Sequence, residues 1–226
     1  MPAILCIETS TTACSVALCN ENGILASKEE NSGYTHAENL HVFIAEVIGK
    51  SGLNKKDISA IAVGKGPGSY TGLRIGVSAA KGMCYVLGIP LIAINSLYTM
   101  AAAVAKMSPD PGSILCPMLD ARRMEVYTAL YAGTDLQELS ATNALVVSEE
   151  SIRRFNTGQA YVFFGDGMSK CRTLLEALPH AAFIEHIFPS AIHMQEAALK
   201  AFAEKRFEDT AYFEPFYLKE FFTGAK

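Results

Sequence analysis

The sequence predicts an α/β fold, a mixed β-sheet covered by helices on both faces. Two observations carry this. Half of the 226 residues are hydrophobic, and they fall into short strand-like runs alternating with longer amphipathic stretches. Their order is β-β-β-α-β-α-β-α, a meander of three strands followed by alternating helices and parallel strands.

Each element has its own signal. Residues 3–7 are apolar and read as a first strand. Cys14, Val16 and Leu18 then alternate with Ser15, Ala17 and Cys19, the period of a half-buried strand. Asn22-Gly23 follows and favours a type I′ turn, so residues 13–28 are expected to form an antiparallel hairpin. Thr35-His36-Ala37-Glu38 has the form of a capping box, Leu40, Phe43, Ile44, Val47 and Ile48 make an apolar stripe, and Gly52 is the stop. Ile58 to Gly64 reads as a strand, Thr71 to Leu87 as a helix, Leu91 to Ile94 as a buried strand, and Ser96 to Met107 as an alanine-rich helix capped by Ser96. This is the order found in ribonuclease H-like domains.

Ser108-Pro109-Asp110-Pro111-Gly112 breaks the chain, so the expected division is residues 1–107 and a smaller α/β lobe over 108–226. In the second part Ile114 to Leu119, Glu125 to Tyr131, Leu136 to Val147 and Tyr161 to Phe164 read as strands. Residues 149–156 read as a short helix and about Ser190 to Arg206 as a last one, with an apolar tail Pro215-Phe216-Tyr217-Leu218. No repeat of short period is visible.

Composition excludes several classes. With 19 Lys plus Arg against 23 Asp plus Glu, a net charge of −4, and only doublets such as Lys55-Lys56 and Arg153-Arg154, there is no basic stripe for gripping nucleic acid. No run reaches the length of a membrane span, and the amino terminus meets Glu8 too early for a secretory leader, so a soluble cytoplasmic chain is expected. The six cysteines contain no C-x-x-C pair, which argues against zinc ribbons and dithiol redox work and for buried thiols. His36 and His41, five apart on a helix, point about 140° away from each other and cannot share one ion. His180, His186 and His193 lack ligand spacing.

The segment richest in chemistry is Gly64-Lys65-Gly66-Pro67-Gly68-Ser69-Tyr70-Thr71-Gly72-Leu73-Arg74, between a strand and a helix. It fits neither the Walker A spacing nor the dinucleotide fingerprint, and Ser69 is not in a G-x-S-x-G elbow. Two readings stand side by side: a phosphate cradle at a helix N-terminus, and a tight turn that needs glycine for its angles and packing. The phosphate reading would use Glu8, Thr9 and Ser10 with Gly66, Gly68, Ser69, Thr71 and Gly72. Asp120-Ala121-Arg122-Arg123 sets a carboxylate beside guanidinium groups, as a ligand contact or an ordinary ion pair.

These residues resemble the TsaB (YeaZ) family, in the runs from Ile4 to Leu18 and from Ala62 to Gly82, in Asp120-Ala121-Arg122 with Glu125-Val126-Tyr127, and more weakly in Gly165-Asp166-Gly167 and Pro215 to Leu218. The resemblance implies a fold of the actin-like ATPase superfamily: two ribonuclease H-like lobes, the second reduced. It also implies a non-catalytic partner of a TsaD-like subunit in forming N6-threonylcarbamoyladenosine at position 37 of tRNAs that read codons beginning with A. A TsaE-like ATPase would be a further partner, and tRNA would be met indirectly through the complex. The chain alone would form a weak homodimer. The contact with the TsaD-like subunit would lie on the helices after the hairpin and after the glycine loop. On the second of these Ile75, Ser78, Ala79, Gly82, Met83 and Val86 mix small and apolar residues, suited equally to an interface and to packing on the sheet.

In such folds the first hairpin carries an aspartate near the nucleotide; this chain has Glu8, one methylene longer. Gly165-Asp166-Gly167 lacks the D-x-G-[GST] form of the second phosphate loop, and the TsaD-type His-x-x-x-His metal motif is missing. The expectation is therefore no metal and no cofactor of the chain's own, with ATP or ADP allowed only at the seam of the complex. The competing expectation is an autonomous actin-like ATPase or phosphotransferase using the Glu8 hairpin and the Gly66–Gly72 loop.

Overall fold

The computed structural model describes residues 1–31, 33, 36–107 and 110–219. The chain divides into two compact units, one of residues 1–96 with 190–226 and one of residues 97–189.

In the first unit β1 (Ala3–Glu8), β2 (Cys14–Asn20) and β3 (Gly23–Glu30) form an antiparallel meander, and β4 (Ile58–Gly66) and β5 (Leu91–Asn95) extend it in parallel on the other side of β1. The sheet order is β3-β2-β1-β4-β5. The hairpin turn differs from expectation. Asn20 pairs with Gly23, so Glu21 and Asn22 are the central residues, and neither has a positive φ. The Asn20 carboxamide accepts from the Asn22 N–H at 2.9 Å, and Gly23 takes φ 134° as the first residue of the return strand. An Asx turn has replaced the type I′ turn.

α1 (His36–Ser51) and α2 (Tyr70–Leu87) cover one face of this sheet. Leu40, Phe43, Ile44, Val47 and Ile48 are all buried against Leu5, Ile7, Val16, Leu18, Ile61 and Val63. Each such side chain contributes about 1.5 to 3 kcal/mol. Thr35, the expected cap of α1, lies outside the described residues. On α2 the Ser69 hydroxyl accepts from the Gly72 N–H at 3.3 Å, and Gly88 closes the helix at φ 65°.

The opposite face of the sheet is covered by the end of the chain. A 3₁₀ turn at Ala191–His193 and helix α5 (Gln195–Ala203) pack on β1, β2 and β5, so Ile4, Cys6, Ala17 and Cys19 are buried too. Ser190 donates to the Glu29 carboxylate and the Ala191 N–H bonds the Ser15 hydroxyl at 3.0 Å, which fastens this return. The expected boundary at residue 107 is corrected by these contacts. Residues 190–219 belong with the first sheet because they cover its second face.

The second unit repeats the plan. β6 (Ile114–Asp120), β7 (Glu125–Ala132) and β8 (Glu138–Val146) form a meander, β9 (Tyr161–Phe164) runs parallel to β6, and β10 (Ala181–Ile184) runs parallel to β9. Their order, β10-β9-β6-β7-β8, is that of the first sheet. Helix α4 (Asp166–Leu175) links β9 to β10; neither α4 nor β10 was expected from the sequence. The unit is reduced where a long helix follows the meander in the first: here there is only a 3₁₀ turn, Ser151–Phe155, whose Phe155 anchors an aromatic cluster with Tyr161 and Phe163. Helix α3 (Ser96–Ala105), apart from its first residue, belongs to this unit. Leu97, Met100, Ala101 and Val104 pack on Leu115, Leu119, Val162 and Phe164. The last helix is shorter than the stretch expected from Ser190 to Arg206.

The six cysteines are all free and buried. Burial pushes the Cys116 thiol up to about 12 and those of Cys14 and Cys84 to about 11, so these are packing groups and not nucleophiles.

Candidate functional site

β1 and β4 lie side by side in parallel and the chain leaves them in opposite directions, which places Glu8 and the Gly64–Gly72 loop at the switch point of the sheet. The structure brings together the residues of the phosphate reading and joins them to one another. Glu8 is buried and folded back on its own backbone: Oε1 accepts from the N–H groups of Thr9 at 2.9 Å and Ser10 at 2.8 Å, and Oε2 accepts from the Ser96 hydroxyl at 3.0 Å. Burial raises its carboxyl above the ordinary value, against the bonds from Ser10, Ser96 and Thr9 that hold it down.

The glycines explain the close approach. A Cβ on Gly64 would overlap the Glu8 carboxylate, one on Gly68 the Ser10 carbonyl, one on Gly72 the Thr9 carbonyl, and one on Gly76 the Thr9 hydroxyl. The Ser69 N–H donates to the Ser10 carbonyl at 2.6 Å, and Thr9 Oγ1 donates to the Gly72 carbonyl at 2.8 Å. At the start of α2 the N–H groups of Ser69, Gly72 and Leu73 are thus all engaged, the last two by Ser69 itself. The space that glycine leaves is filled by residues 9 and 10. Thr71 is exposed and joins none of these bonds, and Gly66 packs against Leu73 and the backbone of Phe216.

The Ser96–Glu8 bond had no signal in the sequence, where Ser96 reads as a helix cap. Nor did the part played by His36, a buried imidazole whose Nε2 lies 2.7 Å from the Thr11 carbonyl and steadies the same turn. His41 lies on the exposed side of α1.

The second unit has its counterpart at the ends of β6 and β9. The Asp166 carboxylate accepts from the Asp120 N–H at 2.9 Å, and Asp120 pairs with Lys170 of α4, not with the neighbouring guanidinium groups. Burial alone would raise the Asp120 carboxyl, but the bond from Lys170 and the Arg122 N–H outweigh it and hold the carboxyl low. Arg122 and Arg123 have φ of 70° and 48° and are exposed at this bend. A Cβ on Gly165 or Gly167 would run into the backbone of Met118 or Leu119, so both glycines again serve packing.

On α2 the residues considered for an interface separate into two groups. Ile75, Ala79 and Met83 are half-buried against the first core, whereas Ser78, Gly82 and Val86 are exposed. A Cβ on Gly82 would meet nothing within 4 Å, so this chain's own packing gives no reason for glycine there. Tyr85 and Val86 are 85% and 80% exposed, and Val42 on α1 is 59% exposed. Tyr85 and Val42 were missed in the sequence because an isolated apolar residue off the buried stripe carries no pattern.

Two sheets of one strand order, each with a carboxylate ending its first strand and a glycine turn after its fourth, define a protein of two ribonuclease H-like units. The profile of the family described as TsaD, tRNA N6-adenosine threonylcarbamoyltransferase, matches residues 24–215. The tRNA threonylcarbamoyladenosine biosynthesis protein TsaB of Escherichia coli K12 is 31% identical over 96% of this chain and 94% of its own length. A solved structure of YeaZ from Pseudomonas aeruginosa superposes with a TM-score of 0.79 at 26% identity, over 96% of this chain and all of that one. A second Pseudomonas aeruginosa structure, described as similar to the peptidase YeaZ, superposes with a TM-score of 0.82 at 24% identity over 97% and 100% of the two chains. The chain belongs to the TsaB (YeaZ) family, within the wider TsaD group.

Proposed function

We propose that this chain acts in N6-threonylcarbamoyladenosine biosynthesis as a non-catalytic subunit that pairs with a TsaD-like enzyme through α2 and the adjoining part of α1. The modification falls on position 37 of tRNAs reading codons that begin with A. The family supports the pathway. The observation that carries the partner role is the exposed strip Ser78, Gly82, Tyr85 and Val86 with Val42, in which large apolar groups flank a glycine that nothing in this chain requires. An exposed glycine inside a helix costs about 1 kcal/mol relative to alanine. A closely approaching partner helix repays it.

The same reading assigns the glycine loop to structure. The N–H groups of Ser69, Gly72 and Leu73 are engaged by Ser10 and Ser69, which supports ATP or ADP being held at the seam of the complex with help from other subunits, a TsaE-like ATPase among them. The net charge of −4 leaves the grip on tRNA to the partner. The alternative of an autonomous ATPase has in its favour only the position of Glu8 at the switch point.

A reconstituted modification assay tests the proposal. Product should form with the TsaD-like and remaining subunits plus this chain, and fall to background without it; equal product in its absence refutes the role. Val86→Arg should weaken the pair at least about tenfold, by burying an unpaired charge, with the isolated fold unchanged. Nucleotide turnover by the isolated chain that is lost in Glu8→Gln would instead favour the ATPase.

A further inference from the structure

After α5 the chain does not simply end against the sheet. Residues 206–217 turn back along β5 and the start of α2: the Glu208 N–H bonds the Leu91 carbonyl at 2.9 Å and the Phe216 N–H bonds the Lys65 carbonyl at 2.7 Å. The Lys81 ammonium holds the carbonyls of Ala211 and Phe213 at 3.2 and 2.9 Å. Between this strap and the loop lies an open cavity of about 590 Å³ lined by Lys65, Glu208, Tyr212, Phe213, Glu214 and Phe216, with Pro215 and Tyr217.

One guanidinium is already held beside the cavity, at its lining residue Tyr217. Arg74 lies over the Tyr70 ring, 4.0 Å from its centroid, and its Nε donates to the Tyr217 hydroxyl at 3.4 Å. Tyr70 and Tyr217 are themselves in ring contact at 4.5 Å. Further along, the same elements stand unused. Tyr212 is 84% exposed and Phe216 37%, and neither ring has a cation or ring partner among the described residues. The carboxylates of Glu208 and Glu214 form no ion pair there either. Aromatic faces beside unpaired carboxylates are what a guanidinium or ammonium group needs, since the ring quadrupole and the anion attract it together.

We propose that this cavity is a docking site for a basic peptide segment of a protein partner, with an arginine side chain stacked on Tyr212 and Phe216 and paired with Glu208 or Glu214. Glu208 and Glu214 share the lining with Tyr212 and Phe216, so a phosphate brought up to these rings meets like charge, and single-stranded RNA is the competing occupant in the test. The site lies on the strap and does not depend on the role proposed for the strip Ser78-Gly82-Tyr85-Val86.

The test is an NMR titration of the full chain with three probes: a short unstructured peptide carrying two arginines, the same peptide with both replaced by glutamate, and a single-stranded RNA oligomer. The arginine peptide should shift the amides of Lys65 and residues 208–217 and bind more weakly as salt is raised. Tyr212→Ala and Glu214→Gln, both at exposed positions, should each weaken it by roughly twofold to fivefold. The proposal is overturned if the arginine peptide shifts none of these amides, if the glutamate peptide or the RNA binds there as well or better, or if both variants bind unchanged.

Discussion

Glycines of one helix and its loop are held for opposite reasons, and alanine separates them. At Gly68 and Gly72 the added methyl runs into the carbonyls of Ser10 and Thr9, main-chain atoms that cannot step aside. Each substitution is expected to cost about 2 to 3 kcal/mol, a fall in Tm of roughly 5 to 10 °C in a thermal melt. At Gly82 the methyl enters open space, so Gly82→Ala is expected to raise stability by about 0.5 to 1 kcal/mol while weakening the partner complex in a pull-down titration. Glu8 provides a pH-dependent counterpart. Its carboxyl is raised in the folded chain by burial, so the folded state favours the protonated form more than the unfolded state does. That contribution is fully present below the unfolded value and is lost as pH rises through the raised folded one. Urea melts should therefore show unfolding free energy declining with pH above the ordinary carboxyl range, and Glu8→Gln should flatten that slope.

At the scale of elements, legibility followed pattern. α1 and α2 were visible because their apolar residues recur on one face, and the hairpin because its alternation is strict. The glycine loop was visible as glycine, but not as a socket for residues 9 and 10, since the contact spans some 60 positions of sequence. α4 and β10 escaped for want of apolar signal: α4 buries only Gly167, Met168, Cys171 and Leu175 among polar neighbours, and no residue of β10 is fully buried. The strap was foreseen only as an apolar tail. Its attachment through Lys81 can be tested at this scale. Lys81→Met keeps the aliphatic stem and removes the donor to two carbonyls, and it should speed hydrogen exchange at the Phe216 amide by about tenfold, with exchange in β1 unchanged.

The whole chain is two units of the same strand order, a duplication that no short period in the sequence reveals because the equivalent positions share burial and not residue type. Its end returns to its beginning. Since residues 190–219 cover the face bearing Ile4, Cys6, Ala17 and Cys19, a fragment of residues 1–107 is expected to bind a hydrophobic dye and melt without cooperativity. A cooperative melt with no dye binding would show that the return is dispensable.

By itself the sequence determined the α/β class, the first lobe strand by strand and the family, because local periodicity and the long run through Glu8 and the glycine loop are written in adjacent residues. Only the tertiary structure decided that the loop's glycines receive Thr9 and Ser10, that Asp120 pairs with Lys170, and that the last residues complete the first unit. Each of these is a contact between segments distant in sequence. Such contacts are settled by which face remains open for burial, and no local pattern records that.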